Sequence, residues 1–117
     1  MSFQWHQYVT LARSLAEVDD ECHRRCAISR AYYAAYHAGR RRWAADQGVP
    51  TTKQIDHASL WDYFRQRPQE RKIAEKGRRL LALRRTADYD ISPACSLKNT
   101  QHALNLADEL LGALSST

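Results

Sequence analysis

The chain has 117 residues, enough to close one hydrophobic core and too few for two comfortable ones. Eighteen Lys and Arg against thirteen Asp and Glu favour acidic partners, nucleic acid among them. No run approaches the roughly 18 apolar residues of a membrane span, and residues 1–7 lack a basic region followed by an apolar core. Three cysteines are an odd number for a disulfide framework, so one cytoplasmic domain with reduced thiols and no membrane contact is expected.

Ser2 can cap a first helix in which Trp5, Tyr8, Val9, Ala12, Leu15 and Ala16 recur at three and four residues, up to about Val18. Asp19 and Asp20 are N-cap candidates for a second helix, which runs to about Asp46 before Gly48 and Pro50 stop it. Asp56 can cap a short third helix carrying Ala58, Leu60, Trp61 and Phe64. A fourth starts near Pro68 or Gln69 with Ile73, Gly77, Leu80, Leu81, Arg84 and Ala87 or Asp88 on one stripe, where Gly77 marks a close helix contact. Ser92 and Pro93 break the chain. A fifth helix from Ser96 or Asn99 carries Ala103, Leu106, Ala107, Leu110, Leu111 and Leu114, and its polar opposite face places it outside the core. No segment alternates like a strand. The pattern predicts an all-α, up-and-down bundle of four to five helices, the second and fourth side by side.

Residues 26–39, CAISRAYYAAYHAG, are apolar or aromatic apart from Ser29, Arg30 and His37, so this part of the second helix should be enclosed by its neighbours. At 3.6 residues per turn, Arg30, Tyr33 and His37 share one face, while Ile28, Tyr32, Tyr36, Gly39 and Trp43 line another. An enclosed arginine cannot shed its proton and needs a partner, and Asp88 is the best candidate downstream. The tyrosines are expected to pack, with hydroxyls reaching polar partners.

Fourteen of the eighteen basic residues are arginine, the type suited to bidentate phosphate contacts. Arg24 and Arg25, Arg40, Arg41 and Arg42, Arg71 and Lys72, Lys76, Arg78 and Arg79, and Arg84 and Arg85 lie in or beside the second and fourth helices. They read equally as an RNA-binding surface, with Arg40, Arg41, Arg42, Arg78, Arg79 and Arg85 as contacts, or as an ordinary solvated helix face. Cys22, His23 and Cys26 fall short of the four ligands of a structural zinc site, and no carboxylate cluster resembles a two-metal centre. Neither a metal nor a cofactor is expected.

The strings SRAYYAAYHAGR from Ser29, HASLWDYF from His57 and LRRTADYD from Leu83 stand in an order and at a spacing that resemble a small stand-alone HEPN-domain protein of bacteria or archaea. The resemblance implies a helical up-and-down bundle, commonly dimeric, in a superfamily rich in metal-independent ribonucleases, toxins of toxin–antitoxin pairs and antiviral effectors. Many such proteins are encoded beside a minimal nucleotidyltransferase that serves as antitoxin. In the ribonuclease members four to six residues separate an arginine from a following histidine. Here Arg84 matches the arginine, while Asp88 and Tyr89 occupy the region of the histidine, which is absent. Arg30 and His37 satisfy the same spacing in the second helix.

Cleavage of RNA through its 2′-hydroxyl needs a base, an acid and cations around the phosphorane. His37 is the candidate base, Tyr89 or His57 a proton donor, and Arg30 or Arg84 the clamp, with Asp88 beside them; His37 and the Arg30–Asp88 pair read also as packing groups. Two functions follow. One is an RNA-directed HEPN protein of a toxin–antitoxin or defence system, a homodimer with a nucleotidyltransferase partner, either cutting single-stranded RNA without metal or binding it as a degenerate relative. The other is a non-catalytic helical assembly module.

Overall fold

Asp20 starts the helix on which the rest of the chain packs. Its carboxylate accepts the His23 amide at 2.8 Å, and Glu21 puts a further negative charge in the first turn of α2 (Glu21–Gln47), where the helix dipole favours it. At the far end Gly48 takes the left-handed conformation, φ 67°, and its amide closes the last turn. The 27 residues of α2 span about 40 Å. This nearly equals the longest dimension of the molecule, 42 Å. The structure is a computed structural model that describes residues 3–115.

Among those residues the elements are five α-helices and one short 3-10 turn, with no strand, arranged as a small helical bundle. The radius of gyration, 14.0 Å, is close to the roughly 13 Å of a compact chain of this length. All the other α-helices touch α2. On one side α1 (His6–Ala16) lays down Val9 and Ala12. It ends two residues short of Val18, and the expected Ser2 cap lies outside the described residues.

Against another side of α2, and against each other, lie α4 (Arg71–Tyr89) and α5 (Leu97–Ser115). Ser96 caps α5 by accepting the Asn99 amide at 3.0 Å. This last helix is more than an outer cover, because Thr100, Ala103, Leu104, Leu106, Ala107, Leu110 and Leu114 are all buried, most of them against α2 and α4. Its stripe is wide enough to make it a full layer of the core.

The third helix, α3 (His57–Arg65), packs mainly on α4 and only lightly on α2. Asp56 precedes it in extended conformation but makes no side-chain capping bond. Leu60, Trp61 and Phe64 are fully enclosed, and Gly77 of α4 lies against the Trp61 ring, the close approach that its place in the stripe predicts. A 3-10 turn, Pro68–Glu70, with proline at its start, leads into α4.

The end of α4 is held from α2. Arg25 donates to the carbonyls of Thr86, Ala87, Asp90 and Ile91 at 2.6–3.1 Å while its Nε holds Glu21 at 2.8 Å. Ala87 is one of the last-turn carbonyls that a helix C-terminus leaves without an intrahelical partner, the Thr86 carbonyl also accepts the Asp90 amide, and Asp90 and Ile91 belong to the connection that follows. Arg24 likewise donates to the Cys95 carbonyl at 2.9 Å. Two arginines of the basic run are therefore tertiary ties. No helix among the described residues is long and apolar enough to cross a membrane.

Candidate functional site

Three elements converge on Tyr33, which faces out of the middle of α2. Arg84 reaches it from α4, donating from Nη2 to the Tyr33 hydroxyl at 2.6 Å with its guanidinium 5.0 Å from the ring centre. Arg30, one turn earlier on α2, lies 5.9 Å from the same ring and 5.2 Å from that of Tyr8. His57, the first residue of α3, meets Tyr33 edge to face at 6.0 Å and Tyr36 at 4.4 Å. His37 is 6.1 Å from Tyr33. The aromatic run of α2 thus serves as a platform that cations and imidazoles surround.

Arg84 is 9% exposed, so its charge needs an answer, and Asp88 supplies it. Arg84 Nε donates to Asp88 Oδ2 at 2.7 Å, and the Ser29 hydroxyl donates to the same oxygen at 3.2 Å. The guanidinium also lies 5.2 Å from the ring of Tyr89, which is 71% exposed. Arg84, Asp88 and Tyr89 are therefore assembled as a unit.

The expected Arg30–Asp88 pair does not form. Both residues line a cleft of about 540 Å³ with Cys22, Cys26 and Ser29, yet among the described residues the only ion pair of Asp88 is with Arg84. The reason is proximity. Residues four apart on one helix are neighbours, so Arg84 takes the carboxylate, while Arg30 is stabilised over two tyrosine rings instead.

The two histidines have different settings. His37 stacks on Trp5, rings 3.7 Å apart and 11° from parallel, and its Nδ1 is enclosed without a partner. Burial, with Arg40 and His57 nearby, lowers its pKa to about 4. A general base works best with a pKa near the operating pH, so the residue expected to be the base is a weak one here. His57 Nδ1 stands 2.7 Å from the Tyr32 hydroxyl, which also accepts the Trp61 indole N–H at 3.1 Å. Burial, then Arg84 and Arg85, pull the His57 pKa down as well, so both rings are neutral at pH 7.

The expected RNA contacts divide. Arg42 is not available: it is bonded to Glu70 and to Asp46, with a side chain 12% exposed, and works as a tie between α2 and the turn before α4. Among the described residues Arg78 makes only a long contact, 3.4 Å, to Asp62. Arg41, Arg79 and Arg85 are exposed, and neither they nor Arg40 form an ion pair among the described residues. Arg40 lies 5.9 Å from the Tyr36 ring and extends the cationic rim.

No group of three His, Cys, Asp or Glu side chains among the described residues is placed to hold a metal, and the three thiols are free. What the sequence left unassigned is the central place of Tyr33 and the bond of Tyr32 to His57. The doubled tyrosine after Arg30 was the available signal, since adjacent helical residues face different partners and so join two surfaces. No protein-family model matches the chain, nor does any curated protein or solved structure.

Proposed function

We propose that the protein is an RNA-directed helical bundle of the HEPN kind, working in a toxin–antitoxin or defence setting, and that it holds single-stranded RNA at the Tyr33 platform. The observation that carries this reading is the cationic excess there: Arg30, Arg40, Arg84 and Arg85 surround Tyr33, Tyr36 and His57, and Asp88 is the only carboxylate bonded to any of the four among the described residues. Arginines supply phosphate contacts and exposed rings such as Tyr89 supply stacking surface, the combination that single-stranded nucleic acid uses. Two neutral imidazoles, one of them a poor base, support binding better than cutting.

The test is a labelled single-stranded RNA in chelator, followed for both retention and cleavage over a salt series. Binding should weaken with salt at a slope of roughly −0.7 per phosphate contact. The cleaving alternative gives cyclic phosphate ends without metal and spares DNA. No retention at low salt removes RNA from the reading.

A second reading, the helical assembly module, has its own observation. Tyr89, Ile91 and Leu97 are 71%, 95% and 54% exposed around the connection between α4 and α5. A homodimer or a minimal nucleotidyltransferase would cover them, and sedimentation at micromolar concentration, alone and with such an enzyme, tests both.

A further inference from the structure

An indole N–H can only donate a hydrogen bond, so the contact from Trp61 Nε1 to the Tyr32 oxygen at 3.1 Å has one direction. The Tyr32 hydroxyl has a single proton to give, and the one acceptor beside it among the described residues is His57 Nδ1, at 2.7 Å. Satisfying both buried donors therefore requires that Nδ1 accept. A neutral imidazole that accepts at Nδ1 carries its proton on Nε2.

Three features keep this arrangement in place. Trp61 and Tyr32 are fully enclosed, so neither has water as an alternative partner. Burial pushes the Tyr32 phenol well above its ordinary range, so it keeps its proton. Burial against Tyr32, Tyr33 and Tyr36 of α2, then the charges of Arg84 and Arg85 from α4, disfavour the protonated imidazole, and Asp56 beside it opposes them. Its Nε2 makes no hydrogen bond within the described residues and is not enclosed.

We infer that the Trp61–Tyr32–His57 chain fixes His57 as an Nε2–H donor, and that this donor binds a non-bridging phosphate oxygen of RNA beside Arg84 and Arg85. The assignment rests on the RNA-directed reading for its ligand. It makes His57 a binding residue in a single protonation state, in place of a proton donor to a cleavage step, and gives the buried polar chain beneath it a role besides pairing the Trp61 N–H. An indole core could have been closed with phenylalanine at position 32 only at the cost of an unpaired Trp61 N–H and an untethered ring.

Two measurements decide it. Long-range nitrogen–proton correlation spectra of the uniformly labelled protein at pH 7 report which ring nitrogen of His57 carries the proton. The Nε2–H form is expected in the parent, and a mixture in Tyr32→Phe. Separately, His57→Gln sets an amide N–H near the position of ring Nε2, whereas His57→Asn sets it near Nδ1. At fixed salt, RNA affinity in His57→Gln should stay within about threefold of the parent, and in His57→Asn it should fall about tenfold or more, the loss of one hydrogen bond to a charged group. If Tyr32→Phe does not fold, the parent spectrum and the two His57 variants still decide. An Nδ1–H parent, or equal affinity for the Gln and Asn variants, overturns the assignment while RNA binding stands. A parent whose His57 is Nε2–H but that retains no RNA overturns the phosphate ligand together with the RNA-directed reading.

Discussion

Gly77 of α4 lies flat against the ring of Trp61 in α3: a Cβ on Gly77 would stand 2.3 Å from Cδ2 and from Cε3 of the indole. The ring cannot yield, being fully enclosed and bonded through Nε1 to Tyr32. Helix propensity favours alanine over glycine by roughly 1 kcal/mol, while overpacking a dense core costs about 1–3 kcal/mol. Gly77→Ala should therefore lower stability in spite of the better helix former, and urea denaturation measures it. The cost should shrink in a Trp61→Leu background, where the obstruction is gone.

Arg84 and Asp88 should be energetically coupled, and Arg30 and Asp88 should not. Removing Asp88 leaves a guanidinium that is 11% exposed in its side chain with only the Tyr33 and Tyr89 hydroxyls to answer it, for a loss of about 1–3 kcal/mol. Double-mutant cycles with Arg84→Met, Arg30→Met and Asp88→Asn separate the two pairs. A coupling above about 1 kcal/mol is expected for the first and less than about 0.5 kcal/mol for the second. The reverse order would reinstate the pairing anticipated from the sequence.

Arg25 should behave as the cap of α4. Its four bonds to carbonyls of residues 86–91 depend on the planar fork of the guanidinium, which lysine cannot reproduce. Arg25→Lys is expected to speed hydrogen exchange at the amides of the last turn of α4 and the following connection, with little change at α1. Uniform protection in the variant would mean that the last turn holds itself.

Acid should weaken the fold through His37. Its folded pKa, about 4, lies below the ordinary value of 6.5, so between these the unfolded chain binds the proton and the folded one does not. Stability then falls as pH drops from about 6.5 towards 4, on the order of 1–2 kcal/mol once solvent screening is allowed for. His37→Phe keeps a ring against Trp5 and removes the titration, so its urea midpoint should change less over the same range. Parallel profiles for parent and variant would put the acid sensitivity elsewhere.

Arginines without ion pairs and arginines that tie helices together should give opposite signatures. Arg85→Ala is expected to reduce the salt slope of RNA binding by about 0.7 and leave the denaturation midpoint nearly unchanged. Arg42→Ala should do the reverse, because the tie from α2 to Glu70 is lost, leaving Glu70 to Arg67 and Asp46 to the Tyr63 hydroxyl. Equal effects on RNA binding would show that Arg42 leaves its carboxylates to meet phosphate.

The sequence by itself determined the helices, because a period of 3.6 residues and capping chemistry are local properties. Asp20 before α2, Gly48 after it, Ser96 before α5 and Gly77 at a contact can each be read from neighbours a few positions away. It also brought Arg30, Tyr33 and His37 to one face, since helical spacing alone does that. Partnership is a different matter, being a competition among all the groups that folding brings within reach, and only the tertiary structure decides it. Arg84 displaces Arg30 from Asp88, Glu70 takes Arg42 out of the basic surface, Trp5 closes over His37, and Trp61, through Tyr32, sets the protonated nitrogen of His57. Each of these depends on distances of a few ångströms between segments far apart in the chain, over which electrostatic and hydrogen-bond energies change by more than helix periodicity can specify.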